Sequence, residues 1–245
     1  MRNFKIVLQY EGTKYQGWQK QESTRNTIQG KLERLLSRLV DAPVEIQASG
    51  RTDAGVHAYG QVANFHMDTD LEPEGLMRRI NAYLPEDIGV ISIEEVPPRF
   101  HSRLNAKGKT YVYRVLNSGI PHIFDRRYVY VYPEKLDVEA MRHAAAYLVG
   151  THDFQAFTSA KKSKKSTVRI IDSIDIERRG EEIRFTFSGN GFLFHMVRIL
   201  MGTLLEVGEG KRRPEEMEAI LESGSRENAG PLVPACGLCL MEVRY

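Results

Sequence analysis

The sequence predicts an α+β fold of two halves, each carrying a mainly antiparallel sheet and two or three helices. Three observations carry this expectation. Stretches that alternate apolar and polar residues, the period of a half-buried strand, are interspersed with stretches whose apolar residues recur every three to four positions, the period of a helix. Their order is not the repeating β-α-β alternation of a doubly wound parallel sheet. Pro97-Pro98 marks a change of direction and a join between the halves. A chain of 245 residues holds one large domain or two of ordinary size.

In the first half, Phe4, Ile6, Leu8 and Tyr10 alternate and mark a strand. A polar, glycine-containing loop covers 11–23. Ile28, Leu32, Leu35, Leu36 and Leu39 then share one helical face, with Asn26 or Thr27 as the cap. Val44, Ile46 and Ala48 predict a second strand, 50–60 a loop, 61–67 a third strand, 74–83 a short helix and 90–96 another strand. In the second half, strands are expected over 109–116 and 127–132. Asp137 is placed to cap a helix that ends at Gly150. Residues 170–177 and 183–188 read as a hairpin about Arg179-Gly180. Met196, Val197, Leu200, Leu204 and Val207 make an apolar helix, Pro214 starts another, and 238–245 is the last strand.

With 42% hydrophobic and 27% charged residues the chain can bury a substantial core. No apolar run approaches the roughly 20 residues that cross a bilayer. The first five residues alternate like a strand and lack the apolar stretch of a secretory signal. The expectation is a cytoplasmic protein without membrane contact. Two cysteines, Cys236 and Cys239, exclude a disulfide scaffold. Their C-x-x-C spacing raises zinc, but no second C-x-x-C or H-x-x-x-H supplies the missing ligands. A redox pair belongs at a helix N-terminus, whereas 237–243 alternates like a strand. Two buried thiols and no metal are expected.

A net charge of +2 gives no bulk signal for a polyanionic partner. Basic residues nevertheless cluster at Lys107 and Lys109, Arg126 and Arg127, and 211–213, which read as solvated faces. Lys161, Lys162, Lys164 and Lys165, followed by Arg169, differ. They lie in a Ser/Lys-rich stretch with no apolar period, read as a loop suited to phosphate contacts.

Gly12-Thr13-Lys14-Tyr15-Gln16-Gly17 follows a strand with G-x-x-x-x-G spacing. A phosphate-binding loop would continue with Lys and Ser/Thr; Trp18 and Gln19 stand there instead, so nucleotide hydrolysis is rejected. The densest polar cluster is Gly50-Arg51-Thr52-Asp53-Ala54-Gly55-Val56-His57, between two apolar strands. Its glycines allow a tight turn around Asp53 and close approach of a ligand. The bland alternative is a turn in which Asp53 caps backbone amides. Arg198 lies within an apolar stretch, 192–200, where an unpaired charge is costly, so it is either half of a structural ion pair or the partner of Asp53. Tyr111 and Tyr113 project from one strand face beside basic residues, which fits either base stacking or ordinary core packing. A glycosidase reading requires a second carboxylate, for which Glu11 and Asp153 are candidates.

Together these segments resemble the tRNA pseudouridine synthase A family over nearly the whole chain. The resemblance rests on the loop 10–19, on Gly50-Arg51-Thr52-Asp53-Ala54-Gly55-Val56-His57-Ala58, and on Ile80-Asn81-Ala82-Tyr83-Leu84-Pro85. It continues through Phe100-His101-Ser102-Arg103, Lys109-Thr110-Tyr111-Val112-Tyr113-Arg114, Gly191-Phe192-Leu193-Phe194-His195-Met196-Val197-Arg198 and Gly237-Leu238-Cys239-Leu240. It implies two α+β halves, 1–104 and 105–245, with sheets joined into one and an active site in a basic cleft between them. It implies tRNA as partner, uridines on the 3′ side of the anticodon stem-loop as substrate, a homodimer and no cofactor. Asp53 matches the catalytic aspartate, Tyr111 the tyrosine beside the target base, Arg198 the arginine paired with that aspartate, and Arg51 an arginine that positions the flipped nucleotide. Leu238 is a candidate apolar wall of the pocket. A non-catalytic RNA-binding protein is the alternative.

Overall fold

Phe4, Ile6, Leu8 and Tyr10 all turn inward along β1 (Arg2–Tyr10), as their period predicts. The computed structural model describes residues 1–160 and 166–245, so Lys161, Lys162, Lys164 and Lys165 lie outside the described residues. The described chain forms two units: Met1–Lys107 together with Cys239–Tyr245, and Gly108–Leu238. Both mix antiparallel sheet with helices, the α+β class.

In the first unit, β1 runs antiparallel between β3 (His57–Met67) and β4 (Ile88–Val96). The other edge of β3 is shared. β2 (Ile46–Ala48) pairs antiparallel with 63–65, and β10 (Leu238–Arg244) pairs in parallel, with Cys239 opposite His57 and Leu240 opposite Ala58. That pairing, together with Tyr10 opposite Ala58, starts β3 four residues before the expected Gln61. It is set by residues far away in sequence, which no local pattern reveals. The intervening loop is therefore 49–56.

Of the two candidate caps for α1 (Ile28–Val40), Thr27 takes the role: its Oγ1 accepts a hydrogen bond from Gly30 N–H at 3.2 Å. Ile28, Leu32 and Leu36 are buried, each contributing about 1.5–3 kcal/mol of transfer free energy. Leu35 and Leu39, at the edge of that face, stay half-buried. α2 (Pro73–Tyr83) begins on a proline, which has no amide to leave unsatisfied in the first turn, and buries Leu76 and Ile80.

In the second unit, β5 (Gly108–Leu116), β9 (Glu182–Gly189), β8 (Val168–Arg179) and β7 (Gly150–Asp153) follow one another, all antiparallel. The expected hairpin is the β8–β9 pair, turning at Gly180 with φ +61°. The strand expected over 127–132 shrinks to β6 (Tyr130–Val131), parallel to β5. α3 (Val138–Ala146) is capped by Asp137, whose Oδ1 accepts from Ala140 N–H at 3.0 Å. It stops short of Gly150, which sits at φ +110° and opens β7: pairing with β8 satisfies a backbone that the local pattern assigned to helix. α4 (Met196–Gly208) is buried almost throughout, and α5 (Glu216–Ser223) starts two residues after Pro214. Tyr113, Phe154, Phe157, Phe185 and Phe187 fill the core of this unit.

Cys236 and Cys239 form no disulfide and are half-buried rather than buried as expected: Cys236 sits in the short turn 235–237 and Cys239 on β10, where it pairs with His57. No helix among the described residues is long and apolar enough to cross a membrane.

Candidate functional site

The loop 49–56 is held from both ends by buried polar side chains. Ser49 N–H donates to the Val62 carbonyl at 2.8 Å, and Ser49 Oγ donates to Gln61 Oε1 at 2.9 Å. Gln61 Nε2 donates to the Gly50 carbonyl at 3.0 Å and to Tyr10 Oη at 3.4 Å. Tyr10 Oη and Thr52 Oγ1 share a hydrogen bond of 2.7 Å. Burial pushes the Tyr10 phenol well above its ordinary pKa, so it serves as a neutral hydroxyl. Val56 N–H donates back to the Asp53 carbonyl at 3.2 Å, closing a turn that needs Gly55 at φ +80°. Asp53 is half-buried at the centre of this turn, and Arg51 is exposed.

The N-terminal loop completes the support. Trp18 N–H donates to the Thr52 carbonyl at 3.0 Å, and Gly55 N–H to the Tyr15 carbonyl at 3.3 Å. Gly12 N–H donates to His57 Nδ1 at 3.0 Å, leaving Nε2 as the protonated nitrogen of the neutral ring. A Cβ on Gly12 would stand 2.0 Å from the Val56 carbonyl oxygen. One on Gly17, at φ +82°, would stand 2.7 Å from that of Thr52 and 3.1 Å from the Ala54 nitrogen. The G-x-x-x-x-G spacing thus has a different purpose from phosphate binding: two glycines let one loop lie backbone against backbone on the other. Tyr15 Oη donates to Asp87 Oδ1 at 2.5 Å, fixing the outer side of the N-terminal loop.

Tyr10, Gly12, Gly17, Trp18 and Gln61 are the supporting residues that sequence reasoning missed. A glutamine and a tyrosine at inward positions of strands were the available signal, since buried polar groups require partners. Tyr10→Phe is expected to destabilise the protein by about 1–3 kcal/mol, because Thr52 and Gln61 lose a buried partner. Urea unfolding checks it; an unchanged midpoint counts against this support.

The second unit holds Tyr111, Arg198 and Leu238. Tyr111 on β5 is 8% exposed, stands opposite Phe187, and meets the Phe192 ring edge-on at 5.3 Å and 85°. Tyr113, two residues along, is fully buried and donates its hydroxyl to the Pro234 carbonyl at 2.7 Å. Of the two tyrosines left open between stacking and core, Tyr113 is therefore core. Leu238, 5% exposed, is the first residue of β10.

Arg198 is the third residue of α4 and half-buried; its Nε donates to the Val233 carbonyl at 2.8 Å. That carbonyl is well placed by close packing. A Cβ on Gly202 would stand 1.9 Å from the Pro231 carbonyl oxygen, and Gly230 N–H donates to Thr203 Oγ1 at 2.9 Å. The positive end of a helix disfavours a cation in its first turn, by about 0.3–1 kcal/mol at exposed sites. α4 also starts from His195 in the left-handed region at φ +66°, a conformation that costs free energy for a residue other than glycine. Both are features of a segment shaped for something other than helix stability.

Among known families, a model described as tRNA pseudouridine synthase matches residues 6–105 and 144–245. The tRNA pseudouridine synthase A 2 of Clostridium perfringens is 45% identical over 245 residues, the whole of both chains. The tRNA pseudouridine synthase A of Acetivibrio thermocellus is 44% identical, and that of Bacillus sp. strain KSM-64 45%, each again over the whole of both chains. Among solved structures, a chain of a Cbf5-Nop10-Gar1 complex aligns with 97% of this chain and 47% of its own length. Its TM-score of 0.32 and identity of 13% make that likeness too weak to argue from.

Proposed function

The chain belongs to the tRNA pseudouridine synthase family, and on that premise we propose that Asp53 is the carboxylate driving its conversion of uridine to pseudouridine in tRNA. The conversion breaks the bond from uracil N1 to the ribose, turns the base and joins C5 to the same carbon. It is redox-neutral. The target uridine leaves its stack to reach the carboxylate, at a cost of a few kcal/mol that is smaller in a loop or near a helix end.

The observation that carries this reading is the seating of the Asp53 turn. Buried hydrogen bonds to Ser49, Gly50 and Thr52, and two glycine-dependent backbone contacts, fix the loop before any substrate arrives. A catalytic group gains most when its position is set in advance by groups that are themselves locked. A surface turn with a merely capping aspartate has no need of such support. Asp53 acts either as a nucleophile on the ribose carbon or as a base on a ribose proton.

The remaining roles follow the same reading. Tyr111 stacks against the detached uracil, with the ring already braced by Phe192. Arg198 serves as counter-charge to the carboxylate, Arg51 steers the flipped nucleotide, Leu238 walls the pocket, and Lys161, Lys162, Lys164 and Lys165 meet phosphates. The substrates are uridines on the 3′ side of the anticodon stem-loop, and the enzyme is a cytoplasmic homodimer. Arg198→Met is expected to lower turnover by about 10²–10³-fold, the range seen when one preorganised electrostatic partner is lost. Steady-state kinetics on tRNA read it directly, and wild-type turnover would remove the role.

Mapping pseudouridines in unmodified tRNA incubated with the purified protein tests the whole reading. New sites are expected on the 3′ side of the anticodon arm. Modification confined to other arms would overturn the substrate assignment.

A further inference from the structure

A groove of about 650 Å³ runs between α1 and α2 of the first unit, away from the Asp53 turn in sequence. Lys31, Arg34 and Arg38 line it from α1, Arg79 and Tyr83 from α2, with leucine side chains between them and no carboxylate. Neighbouring cations on or beside the same helices are neutralised: Lys20 pairs with Glu33 at 3.0 Å and Arg78 with Glu74 at 2.9 Å. Among the described residues no carboxylate lies within 4 Å of the four groove cations.

Lys31, Arg34 and Arg38 are spaced three and four residues apart, so one helix face carries three like charges. Such spacing costs an isolated helix a few tenths of a kcal/mol per pair. The Arg34 guanidinium is oriented by donating to the Arg25 carbonyl at 2.8 Å. Tyr83, 66% exposed, offers an aromatic face beside the charges. Concentrated positive charge with an exposed ring and no interspersed acid fits a phosphodiester chain better than a protein surface, which presents charges of both signs.

The groove is also tied to the candidate site. Ile28 N–H donates to the Gly17 carbonyl at 3.2 Å and Gln29 N–H to that of Trp18 at 3.0 Å, so the start of α1 rests on the loop that seats Asp53. At 1.5 Å per residue, the three α1 cations lie about 5–15 Å further along the helix axis, well within the span of one RNA.

We propose that this groove is a second contact for the substrate, a track for the phosphodiester backbone of tRNA outside the catalytic pocket. The proposal rests on tRNA being the substrate but not on Asp53 being catalytic. Its test is binding rather than turnover: the affinity of unmodified tRNA for the full chain carrying Asp53→Asn, with and without Arg34→Glu/Arg38→Glu, across a range of salt concentrations. The double variant is expected to raise Kd by at least about tenfold and to lower the slope of log Kd against log salt by about two, one for each phosphate left without its arginine. Arg34→Lys/Arg38→Lys, which keeps the charge, is expected to stay within about threefold. Should the glutamate pair impair folding, Arg79→Gln/Tyr83→Ser on the facing wall is the second variant, expected to raise Kd and to lower the slope by about one, for the single arginine lost. Unchanged affinity and slope in a protein with unaltered thermal unfolding would overturn the proposal and leave the groove to an acidic protein partner. Because no turnover is measured, that failure is distinct from a failure of Asp53 as the catalytic group.

Discussion

Asp53→Asn is expected to stop pseudouridine formation, lowering turnover by about 10³-fold or more while leaving fold and tRNA affinity in place. The substitution keeps the shape of the side chain and removes its negative charge, and with it the capacity to act as nucleophile or base. Proton transfer alone typically contributes 10²–10⁴-fold. The fold is spared because asparagine keeps the size and shape of the side chain, and the loop is also seated by the side chains of Ser49, Thr52, Gln61 and Tyr10 and by the backbone of Asp53. Release of tritium from tRNA labelled at uridine C5 measures the loss, and filter binding of the same tRNA measures retained affinity. Turnover near the wild-type level would sink the assignment. Binding without release by the wild-type protein would instead favour the RNA-binding alternative.

Gly12→Ala is expected to damage the same site without touching its chemistry. The added methyl would stand 2.0 Å from the Val56 carbonyl oxygen, and its next two neighbours are backbone atoms as well. Neither side has room to yield. Gly12 is tied through its N–H to His57 and through its carbonyl to Tyr15 N–H at 2.9 Å, while Val56 adjoins β3. The expected cost is about 3–5 kcal/mol, in the range of severe steric lesions. At about 2–4 °C per kcal/mol for a chain of this size, Tm falls by roughly 10 °C. Displacing the Asp53 turn by even 1 Å also costs about 10²-fold in turnover. Gly75→Ala is the matched control. Its methyl meets nothing within 4 Å in α2, so it is expected to stabilise by up to about 1 kcal/mol. Thermal unfolding of both variants, with shifts of opposite sign, checks the pair.

What could be read from the sequence was what local pattern dictates. The alternation of β1, the apolar faces of α1 and α4, the β8–β9 hairpin and the Thr27 and Asp137 caps each depend on residues within a few positions of one another. What could not be read depends on distant partners. β3 begins early because β10, some 180 residues away, lies alongside it; α3 ends early because Gly150 pairs into a sheet. The site divides in the same way. Crowding of Arg51, Thr52, Asp53 and His57 between glycines singled out the loop. The reason for Gly12 and Gly17 stayed hidden, since it is a fit against carbonyl groups about 40 residues further on.

The parallel pairing of Cys239 and Leu240 with His57 and Ala58 has a consequence for synthesis on the ribosome. His57 directly follows the Asp53 turn, yet its neighbouring strand emerges roughly 180 residues later. At 5–20 residues per second, translation leaves that edge uncovered for on the order of ten to forty seconds. Lys107 N–H then donates to the Arg244 carbonyl at 2.8 Å, and Tyr245 Oη to that of Ser102 at 2.6 Å. A nascent chain therefore carries all the residues of its Asp53 turn long before it can finish the sheet beside it.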